Sequence, residues 1–361
     1  MTDIKRYMRR ELDKFAGYAA CKSPEVLDKE VRQLGVLKLD ANENVYGASP
    51  RVKTAFSSFD DAHIYPDSCQ TELRKALSDY THIGVENIVA GSGSDQLIDL
   101  LVRLFVNAGD EVISFTPTFA MYKFYTELSG GRFVAVPRDA EYNVVLEELT
   151  AVISSRTKLI FIAMPNNPTG TQVPLETVKI LIDTGLPVVV DEAYYEFTGQ
   201  TMAAQLGRYH NLMILRTFSK WAGLAGLRVG YGLFPGAVAE RMDAIKDPYC
   251  VNAAAVLAAR ESLKDIDFLM DKVQLIVSER ERLFQLLTRI DYLKPFPSRA
   301  NFILCKVIGR NALDIQFKLE RRGILVRHFD SPQMENCLRF SIGRPQDTDR
   351  LITELQRIGE V

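Results

Sequence analysis

Residues 187–194 read PVVVDEAY, and this stretch decides the fold. Three consecutive valines are typical of a strand that is buried on both faces of a parallel sheet, since such a strand has no solvent-facing side. Two acidic residues and a tyrosine follow directly, where the strand ends. In an open parallel sheet this end borders the crevice in which ligands bind.

Four more apolar runs of this kind occupy residues 87–90, 111–115, 158–163 and 212–215. They alternate with helical patterns between about residues 85 and 235, and this alternation predicts an α/β fold with a mostly parallel sheet covered by helices. After about residue 255 the pattern changes to that of a smaller α+β domain. Apolar residues recur there at helical spacing from 268 to 290, which predicts one long amphipathic helix. The other predicted helices and strands of this part are residues 301–306, 312–321, 337–342 and 349–358.

The composition argues against several classes of protein. A formal net charge of −2 over 361 residues gives no reason to expect nucleic acid or an anionic membrane as a partner. No apolar run approaches the roughly 20 residues needed to cross a bilayer. The five cysteines form no CxxC pair and the four histidines do not cluster, so we expect neither disulfides nor a metal site. A cytoplasmic protein is the resulting expectation.

The predicted strands end in residues that could bind or activate a ligand. In chain order they are a glycine-rich turn (GSGSD, 91–95), an aromatic segment (TPTFAMY, 116–122), two asparagines (PNNPTG, 165–170), the acidic stretch and a lysine (RTFSK, 216–220). Together they offer an anion-binding turn, an aromatic ring, an amide, a carboxylate with a tyrosine, and an amine. This set matches what pyridoxal 5′-phosphate (PLP) needs.

Lys220 is the predicted attachment point of this cofactor. The stretch WAGLAGL (221–227) follows it, and loss of hydration there would lower the pKa of the amine and free it to form a Schiff base. Ser219 and Arg228 could both contact the cofactor's phosphate. A lone lysine would more often be a surface group, so these neighbours carry much of the argument.

Asp191 and Tyr194 each allow two interpretations. In a PLP site Asp191 would keep the pyridine nitrogen protonated and make the ring an electron sink. Its alternative role is that of a helix N-cap. Tyr194 could direct its hydroxyl at the cofactor's phenolic oxygen, or it could be a core tyrosine.

The glycine-rich turn and two arginines also leave alternatives open. Backbone N–H groups at a helix start suit a phosphate, but Ser94 or Asp95 could simply cap the helix. A dehydrogenase-type dinucleotide turn is opposed by Gln96, which stands where the third glycine belongs. Arg327 and Arg339 lie in apolar runs, where each could bind a carboxylate or phosphate or form a structural ion pair.

The order Asn-Pro-Thr-Gly, Asp-x-Ala-Tyr, Ser-Lys and a downstream arginine resembles the fold-type-I aminotransferases. LDANEN (39–44), YPD (65–67), DEAYYEF (191–197) and residues 216–231 are similar to the histidinol-phosphate aminotransferases, and the likeness runs from about residue 36 to 345. It implies a large PLP-binding domain with a mostly parallel seven-stranded sheet flanked by helices, plus a smaller α+β domain. The expected division is an N-terminal arm that packs on the small domain (1–45), the large domain (46–255) and the small C-terminal domain (256–361).

The resemblance also implies a reaction in histidine biosynthesis and roles for single residues. L-Histidinol phosphate and 2-oxoglutarate would give imidazole acetol phosphate and L-glutamate, in a homodimer. The implied catalytic residues are Lys220, Asp191 and Tyr194. The implied cofactor-binding residues add Gly93, Ser94, Asp95, Phe119 (stacked on the ring), Asn167 (on the phenolic oxygen), Thr217, Ser219, Arg228, and Tyr65 from the neighbouring subunit. The implied substrate-binding residues are Tyr18, Asn44, Tyr249, Arg327 and Arg339, with Arg339 on the α-carboxylate or on the phosphate in its place.

Two departures from the family pattern keep other activities open. Val45 stands where the family usually has proline, and Cys250 stands where asparagine is usual. An aromatic or broad-specificity aminotransferase and a threonine-phosphate decarboxylase, both on the same scaffold, are therefore alternatives. A PLP-binding regulator without turnover is a third, although such regulators usually carry a separate DNA-binding domain.

Overall fold

A computed structural model describes residues 3–12, 15, 17–18, 20–329 and 331–360. Its strands are β1 (Leu37–Leu39), β2 (Ile88–Gly91), β3 (Glu111–Thr116), β4 (Arg132–Pro137), β5 (Thr157–Ala163), β6 (Val188–Asp191), β7 (Leu212–Thr217), β8 (Gly230–Leu233), β9 (Leu293–Pro295), β10 (Phe302–Val307), β11 (Ile324–Phe329) and β12 (Cys337–Ser341). Its α-helices are α1 (Lys29–Gln33), α2 (Pro50–Phe56), α3 (Thr71–Thr81), α4 (Gly93–Phe105), α5 (Met121–Leu128), α6 (Glu147–Val152), α7 (Leu175–Asp183), α8 (Gly236–Ile245), α9 (Ala253–Leu263), α10 (Ile266–Leu287), α11 (Ala312–Glu320) and α12 (Pro345–Gly359).

Seven strands form the larger sheet in the order β2-β8-β7-β6-β5-β3-β4. β8 runs antiparallel to both of its neighbours, and the other neighbouring pairs are parallel. The three valines of β6 are completely buried, as a strand covered on both faces requires. The predicted α/β fold with a mostly parallel seven-stranded sheet is confirmed.

Two strands of this sheet were not among the apolar runs. β4 lies at the sheet edge and is partly exposed, so its residues RFVAVP lack a continuous buried run. β8 reads GYGL, and glycine is depleted in strands. The other five strands lie within two residues of the predicted runs.

The smaller sheet has the order β1-β11-β12-β10-β9. Its edge strand β1 comes from the N-terminal part of the chain and pairs in parallel with β11. The long predicted helix is α10, which has 22 residues. The boundaries of the arm and the two domains stay a prediction. Within the described ranges, no helix combines the length and the apolar character needed to span a bilayer.

Candidate active site

Two adjoining cavities lie at the carboxyl ends of the parallel strands. The inner cavity has a volume of about 350 Å³ and the outer cavity about 650 Å³. Both are lined by Ala41, Phe119, Asn167, Tyr194 and Lys220, so these residues stand where the two cavities meet. The inner cavity gathers most of the predicted cofactor-binding residues: Ser94, Asp95, Phe119, Asn167, Asp191, Tyr194, Thr217, Ser219, Lys220 and Arg228.

Lys220 follows β7 and reaches into both cavities. Its Nζ donates a hydrogen bond of 3.1 Å to the carbonyl oxygen of Ala41, which carries no charge. Burial lowers the pKa of this amine to about 8, and the positive charge of Arg339 acts in the same direction. The neutral, nucleophilic fraction of the amine near neutral pH is therefore far larger than for an ordinary lysine.

Asp191 is the last residue of β6 and is almost completely buried. Its Oδ2 accepts a hydrogen bond of 2.6 Å from the hydroxyl of Tyr122, and its Oδ1 accepts one of 3.0 Å from the backbone N–H of Ala193. Burial raises the pKa of this carboxyl to about 6, although both hydrogen bonds act to lower it. No α-helix begins at Asp191, so it is not a helix N-cap.

Tyr122 is completely buried and is held by two ring contacts. Its ring stacks on Phe161 with centroids 4.6 Å apart, and the ring of Phe119 meets it edge-on at 5.7 Å. A ring packed in this way directs the hydroxyl at one oxygen of Asp191. The carboxylate is thereby fixed in orientation at the wall of the inner cavity.

Tyr194 faces both cavities from the turn after β6. Its hydroxyl oxygen accepts a hydrogen bond of 2.9 Å from Nδ2 of Asn42. Burial raises the pKa of this hydroxyl to about 12, so it keeps its proton throughout the physiological range. Tyr194 can therefore donate a hydrogen bond to a group in the inner cavity.

The glycine-rich turn and Arg228 form one unit at the start of α4. Arg228 donates from Nη2 to Oδ2 of Asp95 at 2.7 Å, and a Cβ on Gly93 would lie only 2.7 Å from the same Nη2. Gly93 also has a φ of +75°, which favours glycine. Gln96 accepts the backbone N–H of Ser92 at 2.7 Å, which is a different arrangement from a dinucleotide-binding turn.

The first residue of strand β8, Gly230, packs against the backbone of this turn. A Cβ on Gly230 would lie 2.6 Å from the backbone nitrogen of Ser94, so only glycine allows this approach. Thr217 and Ser219 complete the same wall, with their hydroxyl oxygens 3.0 Å apart. Hydroxyl groups, backbone N–H groups and a guanidinium therefore converge as they would around a phosphate.

Arg339 and Arg327 lie in the outer cavity together with Tyr18. Arg339 donates to Oδ1 of Asn167 at 2.5 Å and to the carbonyl oxygen of Asp40 at 2.7 Å, and its Nε is buried without a partner. Burial lowers the pKa of its guanidinium. Among the described residues Arg339 has no carboxylate partner, which argues against the structural ion pair. A buried cation with an unused donor suits an anionic ligand.

Four predicted site residues line neither cavity, and one of them is Gly93, which lies in the glycine-rich turn next to Ser94. Asn44 is buried and donates from Nδ2 to the carbonyl oxygen of Trp221 at 2.8 Å, next to Lys220 in the chain. Tyr65 and Tyr249 stack on each other with centroids 4.5 Å apart, and both are exposed, Tyr65 to 77%. Their assigned roles stay predictions.

Sequence reasoning missed two residues that contact the predicted catalytic groups. Tyr122 lies three residues after Phe119, which suggests a shared position at the start of α5, but nothing in the sequence pairs it with Asp191. Asn42 lies in the same motif, LDANEN, as the predicted substrate-binding residue Asn44. Its φ of +56°, a value at which asparagine is enriched, could not be anticipated from sequence.

The inner cavity fits PLP on the chemistry of its donors. Asp191 is a buried carboxylate that faces the cavity, and within the described part of the chain no cationic side chain pairs with it. A protonated pyridine nitrogen would supply the missing positive charge. Lys220 has no recorded hydrogen bond with the described residues other than that to the neutral carbonyl of Ala41, so its amine is available for an aldehyde.

Comparison with known proteins supports this interpretation. Residues 35–355 match the family described as aminotransferase class I and II. A histidinol-phosphate aminotransferase of Dehalococcoides mccartyi is 57% identical over 358 residues, which is 99% of each chain. One of Roseiflexus castenholzii is 45% identical over 332 residues, covering 90% of each chain.

A solved structure agrees with these relatives. It is the histidinol-phosphate aminotransferase from Sinorhizobium meliloti in complex with pyridoxal-5'-phosphate, with a TM-score of 0.84 and 29% identity. The superposition covers 95% of this chain and 96% of that chain. The resemblance drawn from the sequence motifs is confirmed.

Proposed function

Because this chain belongs to the class I and II aminotransferase family, we propose that it transfers the amine of L-histidinol phosphate to 2-oxoglutarate with PLP as cofactor. The products are imidazole acetol phosphate and L-glutamate. The observation that carries the proposal is that the amine of Lys220 and the buried carboxylate of Asp191 line one cavity, next to a second cavity that is lined by the buried Arg339. The full-length relatives support the choice of substrate.

Each residue of the inner cavity is assigned to one part of the cofactor. Lys220 provides the amine that binds the aldehyde, and Asp191 keeps a proton on the pyridine nitrogen. Ser94, Asp95, Thr217, Ser219 and Arg228, with Gly93 at the turn, would hold the phosphate, and Phe119 would stack on the ring. Bound PLP supplies an electron sink when a proton leaves the α-carbon of the substrate.

Lys220 is the residue that transfers the proton, and Tyr194 is a hydrogen-bond donor. The lowered pKa of Lys220, about 8, would let its amine accept the proton from the α-carbon of the substrate and deliver it to the former aldehyde carbon of the cofactor. The hydroxyl of Tyr194, whose pKa is about 12, would donate a hydrogen bond to the phenolic oxygen of the cofactor and keep its proton. Asn167, which lines the same cavity, would also hydrogen-bond that oxygen.

Arg339 binds the anionic end of each substrate in the outer cavity. A planar guanidinium donates two parallel hydrogen bonds to either a carboxylate or a phosphate ester, so that one site can serve both glutamate and histidinol phosphate. Its bond to Asn167 joins the substrate cavity to the cofactor cavity. Arg327 and Tyr18 line the same cavity and assist, and Asn44 holds the backbone beside Lys220.

The active unit is a homodimer in this proposal. Tyr65 and Tyr249 form an exposed aromatic pair outside both cavities of their own chain. Exposed stacked aromatic rings are typical of a protein interface. Across it, Tyr65 would reach the phosphate of the neighbouring cofactor and Tyr249 the substrate. The cytoplasmic location stays a prediction.

A comparison of three amino donors tests the substrate. The purified, PLP-loaded protein is incubated with 2-oxoglutarate and L-histidinol phosphate, phenylalanine or threonine phosphate, while glutamate and CO2 are measured. We expect the highest kcat/KM with histidinol phosphate and no CO2. Faster turnover of phenylalanine would make the chain an aromatic aminotransferase, and release of CO2 from threonine phosphate would make it a decarboxylase.

A further inference from the structure

Asn42 connects the smaller sheet with the catalytic tyrosine. It lies between β1 and α2 and is 1% exposed. Its backbone N–H donates to Oγ of Ser341 at 2.8 Å, and its Nδ2 donates to the hydroxyl of Tyr194 at 2.9 Å. Its carbonyl oxygen accepts from Nδ2 of Asn301 at 2.9 Å. The backbone of Asn42 has a φ of +56°. Asn42 thus contacts both the smaller sheet, through Ser341, and the end of β6 in the larger sheet, through Tyr194.

The hydrogen bonds of Ser341 determine how the amide of Asn42 is oriented. A serine hydroxyl has a single hydrogen. Its oxygen already accepts the backbone N–H of Asn42, so the hydrogen is available for Oδ1 of the same residue, 3.1 Å away. The amide oxygen therefore points to Ser341 and the NH2 group points to Tyr194.

The amide in turn determines the direction of the tyrosine hydroxyl. The oxygen of Tyr194 accepts from Asn42, so its own hydrogen must point elsewhere. Among the residues that the structure describes, no recorded bond uses this hydrogen. Tyr194 also lines the inner cavity, where the phenolic oxygen of bound PLP is an acceptor.

We propose that Ser341 and Asn42 are positioning residues that direct the hydroxyl hydrogen of Tyr194 at the phenolic oxygen of bound PLP. The proposal rests on the proposed function, since it requires this cofactor. Neither residue lines the inner cavity, and each acts through Tyr194. All three side chains are at most 4% exposed, so water does not compete for their hydrogen bonds.

The same strand carries the residue that binds the substrate anion. Arg339 precedes Ser341 by two residues on β12, so both side chains lie on one face of that strand. Arg339 contacts Asp40 and Lys220 contacts Ala41, the two residues before Asn42. Residues 40–42 thus contact Arg339, Lys220 and Tyr194, three of the residues assigned to substrate and cofactor.

The proposal predicts a shift in the pH dependence of the cofactor's absorption. A hydroxyl that donates to the phenolic oxygen stabilises its negative charge and weakens its hold on the proton of the neighbouring nitrogen that Lys220 supplies. Ser341→Ala removes the group that orients Asn42, and the amide can then turn its oxygen to Tyr194. We expect the midpoint of the absorption change to rise by about half to one pH unit, the worth of one hydrogen bond.

Three further variants sharpen this test. Ser341→Thr keeps the hydroxyl and should restore the midpoint of the original protein. Asn42→Asp tolerates the left-handed φ but offers Tyr194 only acceptors, so the midpoint should rise at least as much as in Ser341→Ala. Ser262→Ala is the matched control, because Ser262 is a buried serine on α9 whose Oγ has no partner among the described residues.

The outcomes separate this proposal from the proposed function. A midpoint unchanged in both Ser341→Ala and Asn42→Asp, or not restored by threonine, overturns the positioning role. Asn42→Asp alone decides if Ser341→Ala does not fold. An original protein that binds PLP but does not convert histidinol phosphate contradicts only the substrate, and one that binds no PLP contradicts both proposals.

Discussion

Tyr122→Phe should weaken PLP binding in a way that depends on pH. The change removes the hydrogen bond of 2.6 Å that the hydroxyl donates to Oδ2 of Asp191 and leaves the packed ring in place. A hydrogen bond to a charged group contributes about 1.5–3 kcal/mol, and one pKa unit corresponds to about 1.4 kcal/mol. The pKa of Asp191, about 6 in the original protein, should therefore rise by at least one unit.

The sign of the effect follows from the charge that the cofactor needs. PLP with a protonated ring nitrogen pairs with ionised Asp191. Below the pKa of Asp191, the carboxyl must therefore lose its proton before the cofactor can bind in this form. Near pH 6.5 the carboxyl of Asp191 is mostly ionised in the original protein. In a variant whose Asp191 pKa is more than one unit higher, this carboxyl is mostly protonated. We expect the Kd for PLP to rise roughly tenfold at that pH and the two proteins to converge above about pH 9.

Fluorescence provides the assay. Trp221 is the single tryptophan of the chain and follows Lys220 directly, so its quenching reports PLP binding. The matched control is Tyr292→Phe, which removes a tyrosine hydrogen bond of the same length, 2.6 Å, to the carbonyl oxygen of Leu355 in the smaller domain. This control should lower stability without changing the Kd. A Tyr122→Phe protein whose Kd ratio is the same at both pH values would refute the reasoning.

Three more outcomes are expected. Gly230→Ala places a Cβ 2.6 Å from the nitrogen of Ser94, so the phosphate turn must move and the Kd for PLP should rise at least about tenfold; an unchanged Kd contradicts this. Glu192→Gln removes the negative charge that pairs with the buried guanidinium of Arg216, and urea denaturation should show a loss of about 3 kcal/mol; a loss below about 1 kcal/mol would count against it. The rate at which the apoprotein captures PLP should rise with pH through about 8 as Lys220 loses its proton, and a flat stopped-flow profile would contradict the lowered pKa.

The parallel part of the larger sheet could be predicted because its signal is local. Residues 158–163, 187–190 and 212–215 are continuous apolar runs, and only strands buried on both faces need such runs. The residues after them were therefore placed correctly at one edge of the sheet. β1 and β8 lacked this signal, since one has three residues with a central lysine and the other alternates glycine with apolar residues.

The partners of the site residues could not be predicted because they depend on tertiary packing. Asn42 and Asn44 are equivalent in the motif LDANEN, yet one donates to Tyr194 and the other to a backbone carbonyl. The hydrogen bond of Tyr122 to Asp191 joins residues 69 apart in the chain. Arg339 was identified from its apolar surroundings, but its contact with Asn167 appears only when the two sheets are assembled.

The central claim is that the amine of Lys220 holds the cofactor, and reduction with borohydride tests it most directly. The PLP-loaded protein is treated with borohydride, digested and mapped by mass spectrometry, with Lys246 as a buried lysine for comparison. The account predicts one pyridoxyl adduct, on the peptide that contains Lys220, and none on Lys246. An adduct on another lysine, or none at all in a protein that has taken up PLP, would contradict it.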